Sequence, residues 1–508
     1  MDRRPSPART PCAPASSPCA NATSPCTTSA TSSSRAGPAR LSVTAIQEVL
    51  RAEGFVRLPR RADEERPSRP RPLADAIADV RAFSLAPRTF STRAGGLFLL
   101  LPLLARLDLD AIVGAATFPG TKMIPAPHAV RAALVLKLLG TARRSHVMDL
   151  LFDEGVALAV GLNAVPKATF MSQYSSRLGR PAIVRLLGAW IERLRRERVI
   201  DATSFNLDFH SISYFGDDAV VEKHYVPRRS QRRKAVLAFL AQDAGGQLFC
   251  YANADLRKGE EAAEILRFVR FWEQRYGERP RHLVFDSKLT TYANLSKLNA
   301  LGITFITLRR RSPALQAAVA TLPRSAWQTV HLKVPHRKYQ TPRVVDQRVT
   351  LTGYSGTLRQ LLIRDLGHEE PTVLLTNDLK SSLPALITRY AQRMLIENGL
   401  ADSVDFFHLD ALSSAVALNV DFDVLLTLIG SGIYRLFAQS LRGYERVRAR
   451  QLFRRFLDTT ARVTVSDADV TVRLPRRTHN PILLDAGLIG PTVAIPWWQE
   501  RALKIEIV

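Results

Sequence analysis

Three acidic residues stand where a carboxylate could take part in chemistry. Asp208 is centred in the alternating stretch SFNLDFH, Asp286 follows the apolar Leu283–Phe285, and Glu397 lies in a segment with helical spacing. A buried aspartate needs a cation, a metal ion or backbone donors to offset its loss of water. Carboxylate oxygens suit Mg²⁺ or Mn²⁺, and two such ions about 4 Å apart stabilise the attacking and leaving oxygens of a phosphodiester displacement. We therefore expect these three carboxylates to hold two divalent ions for phosphodiester chemistry.

Two further polar groups accompany Glu397 on a helix predicted over Leu383–Asn398. Tyr390 precedes Arg393 by three residues and Arg393 precedes Glu397 by four, so all three share one helix face. Tyr390 and Arg393 could bind a phosphate of DNA while Glu397 holds a metal ion. The same polar stripe could also simply face solvent.

Other side chains compete for a place in this site. Asp217 and Asp218 fall in the sequence YFGDD, where aspartate is a common turn residue. Asp255 follows a predicted strand and is suited to cap the next helix. Asp378 ends the strand before the Glu397 helix and is the main alternative to Glu397. His210 lies on the same side of its strand as Asp208, and a structural histidine is the simpler interpretation.

The charge balance indicates a polyanionic partner. Lys and Arg number 71 against 46 Asp and Glu, which leaves a net charge of +25 and a pI of about 10.6. Such an excess attracts nucleic acid and releases its counterions, although a basic tail or an arginine-rich coding bias would give the same total. Within the cluster RRSQRRK we expect contacts to the DNA backbone from Arg228, Arg229, Arg232, Arg233 and Lys234. The cluster RRR at 309–311 could act in the same way.

The cysteines and the apolar runs exclude several classes of protein. Three of the four cysteines lie before residue 27 and the fourth is Cys250, so the sequence predicts neither a disulfide framework nor a zinc site. The longest apolar run, Leu97–Leu104, is too short to cross a bilayer and contains Pro102. We expect a reducing, intracellular setting.

The first 200 residues divide by composition into three parts. Residues 1–40 lack large apolar side chains and are predicted to be a disordered tail, and 41–90 a linker or arm. Residues 91–200 have helical periodicity, with helices expected over His128–Leu139 and Ser145–Val160. The latter, the turn at 161–163 and a helix opening at Pro166 resemble a helix-turn-helix DNA-binding domain, and an ordinary helical hairpin fits equally well. The side chains expected to reach DNA are Lys167, Thr169 and Gln173.

The remaining residues predict an α/β fold. In 201–310, three strands in series, a helix over Glu260–Tyr276 and strands at Arg281–Asp286 and Ile303–Leu308 follow the order of an RNase H-like core. A β-rich insertion is expected over 311–378, the second part of the core with C-terminal helices over 379–460, and a short β-like tail over 461–508.

The stretch YAQRMLIE, with Tyr390, Arg393 and Glu397, resembles the helix motif of bacterial insertion-sequence transposases of the DDE type. Asp208 resembles the first catalytic aspartate of that group and Asp286 the second. The gaps are 286 − 208 = 78 and 397 − 286 = 111 residues, and the second gap holds the β-rich insertion that such enzymes often carry. The resemblance spans roughly 200–440. Many relatives have lysine seven residues after the glutamate, where this chain has Val404.

The resemblance implies a bacterial transposase, which we expect to be cytoplasmic and associated with the nucleoid. Such an enzyme binds the terminal inverted repeats of its own element, cleaves the strand there and joins the freed 3′-hydroxyl to target DNA. It implies two Mg²⁺ or Mn²⁺ ions held by the three carboxylates, and a homodimer, formed before or upon DNA binding. Two alternatives remain open, namely a metal-dependent nuclease of the same fold without strand transfer and a catalytically inactive basic DNA-binding protein.

Overall fold

The chain divides into two compact units, Met1–Asp75 and Ala76–Val508. The computed structural model describes residues 43–54, 78–214, 223–226, 231–256, 259–286, 291–332, 340–365, 371–409 and 417–508. In the first unit these include one helix, α1 (Val43–Ala52), whose apolar residues recur at spacings of three and four. This helix lies within the range predicted as a linker or arm, and the predicted tail over 1–40 lies outside the described residues.

The part before residue 200 is largely helical, as predicted. Its elements are β1 (Arg88–Thr92), α2 (Leu101–Arg106), α3 (Leu109–Ala115), α4 (Ala126–Leu138), α5 (Glu154–Val160), α6 (Ala168–Tyr174) and α7 (Arg180–Arg196). The apolar run Leu97–Leu104 lies in the main hydrophobic core. A single helix over Ser145–Val160 is wrong, because the Asp153 carboxylate accepts the Val156 N–H at 3.1 Å and starts a new helix after a 3₁₀ segment.

The middle of the chain forms one large mixed sheet. Its strands are β2 (Ser204–Ser213), β3 (Lys223–Val226), β4 (Gln231–Asp243), β5 (Phe249–Leu256), β6 (His282–Phe285), β7 (Thr304–Leu308), β8 (Gln328–Thr329), β9 (Arg343–Val349), β10 (Leu358–Arg364) and β11 (Thr372–Thr376). The strand order is β3-β4-β2-β6-β7-β11-β10-β9-β8, with β5 also paired to β4. The β5-β4-β2 part is antiparallel, whereas β2, β6 and β7 run parallel. The strands predicted at Arg281–Asp286 and Ile303–Leu308 are confirmed, as β6 and β7.

The β-rich segment predicted over 311–378 is confirmed. Its strands β8 to β11 continue the same sheet. Strand β11 pairs antiparallel with β7, with Leu374 opposite Leu308. The intervening helices are α8 (Glu261–Tyr276), α9 (Tyr292–Ala300) and α10 (Pro313–Ala320). Val319 of α10 clusters with alternate residues of β9, β10 and β11, and the residues between them belong to a second cluster. Both faces of this part of the sheet are therefore covered.

Successive residues of β2 point to opposite faces of the sheet, and this decides which side chains can meet. Phe205 packs against Phe268 and Trp272 of α8, with ring centroids 5.2 and 4.7 Å apart. Asn206 and Asp208 therefore point to the other face. That face is covered by α11 (Leu383–Ala391), whose buried residues cluster with apolar residues of β6 and β7.

The C-terminal part of the chain packs against the helices that precede residue 200. It contains α12 (Met394–Asp405), α13 (Ala417–Ser440), α14 (Ala449–Leu452), β12 (Ala461–Val465), β13 (Asp469–Leu474), α15 (Asn480–Asp485), β14 (Thr492–Ala494) and β15 (Ala502–Ile507). The predicted β-like tail is thus confirmed, in a five-stranded sheet of order β1-β12-β13-β15-β14. The indole N–H groups of Trp497 and Trp498 donate to the carbonyls of Ala159 and Leu158 in α5 and hold this sheet against it. Throughout the described ranges, every helix is too short or too polar to cross a membrane.

Candidate functional site

Asp208 lies within β2, and Asp286 directly follows the neighbouring parallel strand β6. The register pairs Ser204 with His282 and Asn206 with Val284. Two residues further along each strand, the same register puts Asp208 beside Asp286. Asp208 lies inside β2 because β2 is longer, whereas Asp286 comes directly after β6 ends. Neighbouring parallel strands thus bring together two carboxylates that are 78 residues apart in sequence (286 − 208).

Helix α11 lies along β2, and arginines four residues apart at its end contact polar residues two apart in the strand. The Arg389 guanidinium donates to Ser204 Oγ at 2.6 Å and Asn206 Oδ1 at 2.9 Å, and Arg393 Nη1 donates to Asp208 Oδ2 at 3.2 Å. Four residues of helix advance about 6 Å and two residues of strand about 6.6 Å. The two arginines can therefore contact alternate residues of one strand. Arg389 and Asn206 fix the alignment that brings Arg393 to Asp208.

The helix predicted over Leu383–Asn398 is interrupted, which corrects the sequence analysis. α11 ends at Ala391 and α12 begins at Met394. At this point the Arg393 N–H donates to the Tyr390 carbonyl at 3.0 Å, and the Ile396 N–H donates to the Arg393 carbonyl at 2.9 Å. Hydrogen bonds over three residues tighten the turn without reversing the chain. The three predicted side chains still meet.

Arg393 is the centre of this site. Its guanidinium carbon lies 5.7 Å from the Tyr390 ring centroid, and Nη2 lies 3.5 Å from Glu397 Oε1. The side chains of Arg393 and Asp208 are 11% and 21% exposed, whereas that of Glu397 is 51% exposed. The cluster is therefore closed on the sheet side and open at Glu397. Among the residues that the structure describes, none accepts a hydrogen bond from the buried Nε of Arg393, so one N–H is left for a further acceptor.

The electrostatics show that Asp208 is held against repulsion. Burial raises the pKa of its carboxyl above the ordinary value, and the Arg393 charge and the Phe209 N–H oppose this only in part. The negative charges of Asp286 and Glu397 raise this pKa further. One guanidinium thus faces three carboxylates, and a cation would relieve their repulsion.

The neighbouring phenol and guanidinium respond to the same charges. Burial raises the pKa of Tyr390 to about 12, so the phenol is protonated and can donate at neutral pH. Burial lowers the pKa of Arg393, but the charges of Tyr390, Asp208, Asp286 and Glu397 outweigh it and the net shift is upward. Both groups are therefore available as donors to a phosphate.

The donor set suits a hard divalent ion in kind, because it offers carboxylate oxygens in local excess of negative charge. Within the described ranges, however, no group of three His, Cys, Asp or Glu residues is assembled closely enough to hold a metal ion. Arg393 pairs with both Asp208 and Glu397 and stands where a shared cation would lie. Arg393 must therefore leave these carboxylates before they could bind metal together.

The competing acids have other surroundings. The Asp378 carboxylate accepts the N–H groups of Lys380 and Ser381 at 3.0 and 2.9 Å, so it shapes the turn before α11. Asp217 and Asp218 lie outside the described residues, and the Asp255 side chain is likewise not described. Val404 packs partly buried against the main core.

Outside the carboxylate site, the predicted DNA-binding residues are exposed or half-buried where the structure describes their side chains. Lys167, Thr169 and Gln173 are exposed around α6, while Met171 and Tyr174 face the core. In the basic cluster, Arg232 is exposed and Lys234 is half-buried at the start of β4. The Arg233 side chain is not described, and Arg228 and Arg229 lie outside the described residues.

Two residues of the site were missed by the sequence analysis. Asn206 is fully buried between the Gln242 amide and the Arg389 guanidinium, and Arg389 is one helical turn before Arg393. The signal was present as polar residues at 204, 206 and 208 in a strand with apolar residues between them. Comparisons of the chain with models of known protein families and with curated proteins give no match.

Proposed function

We propose that the chain is a DNA transposase. It binds the ends of its own element, cleaves the phosphodiester there and joins the freed 3′-hydroxyl to target DNA. The observation that carries this proposal is the convergence of Asp208, Asp286 and Glu397 on one guanidinium at the edge of the sheet. The net charge of +25 supports a polyanionic substrate.

The strand order supports an RNase H-like core for this region. Along β5-β4-β2-β6-β7, strand β2 is central. Its antiparallel partner β4 and then β5 lie on one side, and the parallel strands β6 and β7 lie on the other. Strands β8 to β11 extend this core, as expected for an insertion between Asp286 and Glu397.

Each residue takes a role that follows from its surroundings. Asp208, Asp286 and Glu397 would hold two Mg²⁺ or Mn²⁺ ions, which stabilise charge on the attacking and leaving oxygens when bound. Arg393 offers a forked cation and an unused Nε–H to a phosphate oxygen. Tyr390 donates its phenolic proton beside it. Asn206 and Arg389 are positioning residues, since they align α11 on β2. We propose a homodimer, because two element ends must be joined together.

The decisive experiment is a cleavage assay with Mg²⁺ on a duplex that carries the inverted repeat bordering the gene. Asp286→Asn should lower cleavage by on the order of 10³-fold or more, because it removes a ligand oxygen and its charge. Asp378→Asn is the matched control, since Asp378 is a nearby carboxylate committed to a turn. Equal cleavage by wild type and Asp286→Asn would refute the assignment.

Strand transfer from a pre-cut end separates a transposase from a nuclease of the same fold. The wild type should join a pre-cleaved element end to a target plasmid, whereas a pure nuclease gives no joined product. The second candidate function is a DNA-binding protein without catalysis, favoured by the ion pairs of Arg393 with two of the three carboxylates. That candidate requires Asp208→Asn to bind and act on DNA in the same way as wild type.

A further inference from the structure

The carboxylate site already contains a cation of its own, the guanidinium of Arg393. Nη1 lies 3.2 Å from Asp208 Oδ2, and Nη2 lies 3.5 Å from Glu397 Oε1. The negative charge of Asp286 acts on the same guanidinium. A metal ion held by these carboxylates needs the space among their oxygens, which the guanidinium occupies. Arg393 and a metal ion therefore compete for the same carboxylates.

The two ion pairs of Arg393 differ in strength. Its pair with Asp208 lies against the sheet and is mostly buried on both sides, so salt and water screen it little. Its pair with Glu397 is longer, and half of the Glu397 side chain is exposed, so solvent weakens this pair. The guanidinium is therefore held mainly by Asp208, and a ligand can approach it from the side of Glu397.

Arg393 also has a donor left for a partner that approaches from that side. Of the residues that the structure describes, none accepts the buried Nε–H, although Nη1 and Nη2 both have acceptors. Nε–H and one Nη–H point the same way and can bind two oxygens of one phosphate as a fork. To use that fork, the guanidinium must turn from the sheet toward the open side, which takes it away from Asp208.

We propose that Arg393 makes metal binding depend on DNA, an inference that rests on the proposed function. In the free chain the guanidinium balances the carboxylates and opposes the binding of Mg²⁺ or Mn²⁺. A phosphate of bound DNA draws the guanidinium away and leaves the negative charge of Asp208, Asp286 and Glu397 to the metal ions. DNA and metal ions then strengthen each other's binding by the same factor. The chain is thus kept from holding its ions where no DNA is bound.

The position of the helix does not depend on Arg393 alone. Arg389, one helical turn earlier, aligns α11 on β2 by donating to Ser204 Oγ and Asn206 Oδ1. Both acceptors are neutral groups, whereas those of Arg393 are the proposed metal ligands. The contact that aligns the helix and the contact that balances the carboxylates therefore belong to different residues. Arg393 can be replaced while Arg389 keeps the alignment.

The test measures binding of Mn²⁺ to the full chain without DNA, from the electron paramagnetic resonance signal of the free ion. Arg393→Gln should bind Mn²⁺ at least about tenfold more tightly than wild type, because the competing charge is removed. Arg393→Lys is the matched control and should stay close to wild type, because it keeps a cation beside the carboxylates. Adding Asp286→Asn to Arg393→Gln should abolish the gain, which assigns the gained affinity to this site.

A second arm uses the wild type and therefore does not depend on the folding of an Arg393 variant. A short duplex that carries the element end should raise the affinity for Mn²⁺ at least about tenfold. Asp286→Asn with the same duplex measures the Mn²⁺ that the DNA itself holds. The proposal is overturned if the duplex leaves the Mn²⁺ affinity of wild type unchanged, or if Arg393→Gln binds Mn²⁺ no more tightly than wild type.

The outcome is separate from that of the proposed function, because neither arm requires cleavage. A chain in which DNA and Mn²⁺ strengthen each other's binding, but which never cuts an element end, would refute the transposase and retain this role of Arg393. A chain that cuts element ends and binds Mn²⁺ equally well with and without DNA would do the reverse.

Discussion

Two carboxylates on opposite faces of the large sheet are both removed from water, yet their surroundings differ. Glu264 of α8 is fully buried and accepts hydrogen bonds from the Tyr251 hydroxyl at 3.0 Å, Asn253 Nδ2 at 2.8 Å and Arg267 Nη1 at 3.3 Å. Burial raises the pKa of Glu264, and these donors oppose that shift. Glu264 has thus exchanged its water molecules for protein hydrogen-bond donors on both carboxylate oxygens.

Asp208 is treated in the opposite way. It accepts one N–H from its neighbour Phe209 at 2.9 Å and one from Arg393 at 3.2 Å. The remaining charges that act on it are those of Asp286 and Glu397, and both are repulsive. A carboxylate that serves only the fold is surrounded by donors, whereas one placed among other acids costs stability until a cation arrives. Glu264 thus has the surroundings of a structural carboxylate, whereas those of Asp208 are the ones expected of the metal ligand proposed above.

The largest effect expected from this difference is on catalysis. Asp208→Asn should lower Mg²⁺-dependent cleavage of element-end DNA by on the order of 10³-fold or more, because the amide cannot ligate a cation as the carboxylate does. Glu264→Gln keeps the shape of a buried carboxyl on the other face and should retain cleavage within about threefold per folded molecule. The rates are measured in single-turnover reactions with excess protein. A similar loss in both variants would mean that the two carboxylates do not differ in role.

The chemistry of the site could be predicted further than its geometry. Alternation in SFNLDFH predicted Asp208 inside a strand, and the apolar run before Asp286 predicted that aspartate at a strand end. The helix spacing of Tyr390, Arg393 and Glu397 predicted a shared face, which the structure retains. These are local patterns, and local patterns are what a single sequence records.

The unpredicted parts depend on contacts between distant residues. The tight turn at Arg393 contains no Pro or Gly that would predict it from the sequence. It is recognised only from the backbone hydrogen bonds of the Arg393 and Ile396 N–H groups. The pairing of β11 with β7, which continues the sheet through the predicted insertion, is a tertiary choice that the alternation of either strand leaves open. The contact of Arg389 with Asn206 joins residues 183 apart.

A second consequence of the comparison concerns stability. Glu264→Ala should lower the free energy of unfolding by about 3 kcal/mol, because it leaves the buried donors of Tyr251 and Asn253 without an acceptor. Asp208→Asn should leave the stability unchanged or raise it, because it removes a charge that its neighbours repel. Both are measured by urea unfolding at neutral pH without divalent ions. A loss of stability in Asp208→Asn as large as that in Glu264→Ala would contradict the interpretation of Asp208.

The smallest expected effect is on the pH dependence of stability, whose direction follows from the direction of the pKa shift of each carboxyl group. The pKa of Glu264 is raised in the folded chain, so folding takes up a proton between the ordinary value of 4.5 and the folded value. The stability that this group contributes is therefore greatest below 4.5 and falls as the pH rises through that window. Glu264→Gln does not titrate, so its unfolding free energy relative to wild type should increase from about pH 4 to about pH 7. The increase should be about 1.4 kcal/mol for each tenfold by which folding strengthens proton binding to Glu264.

Glu445 provides the control of opposite sign. The Gly443 N–H lowers the pKa of the exposed Glu445 carboxyl, so its contribution to stability is present above the ordinary value and is lost as the pH falls. Glu445→Gln should therefore lose stability relative to wild type as the pH rises, where Glu264→Gln gains it. Urea unfolding of both variants over the same pH series gives two difference curves that should diverge. Parallel curves would show that the hydrogen bonds of Glu264 outweigh its burial, and would contradict the raised pKa of Glu264.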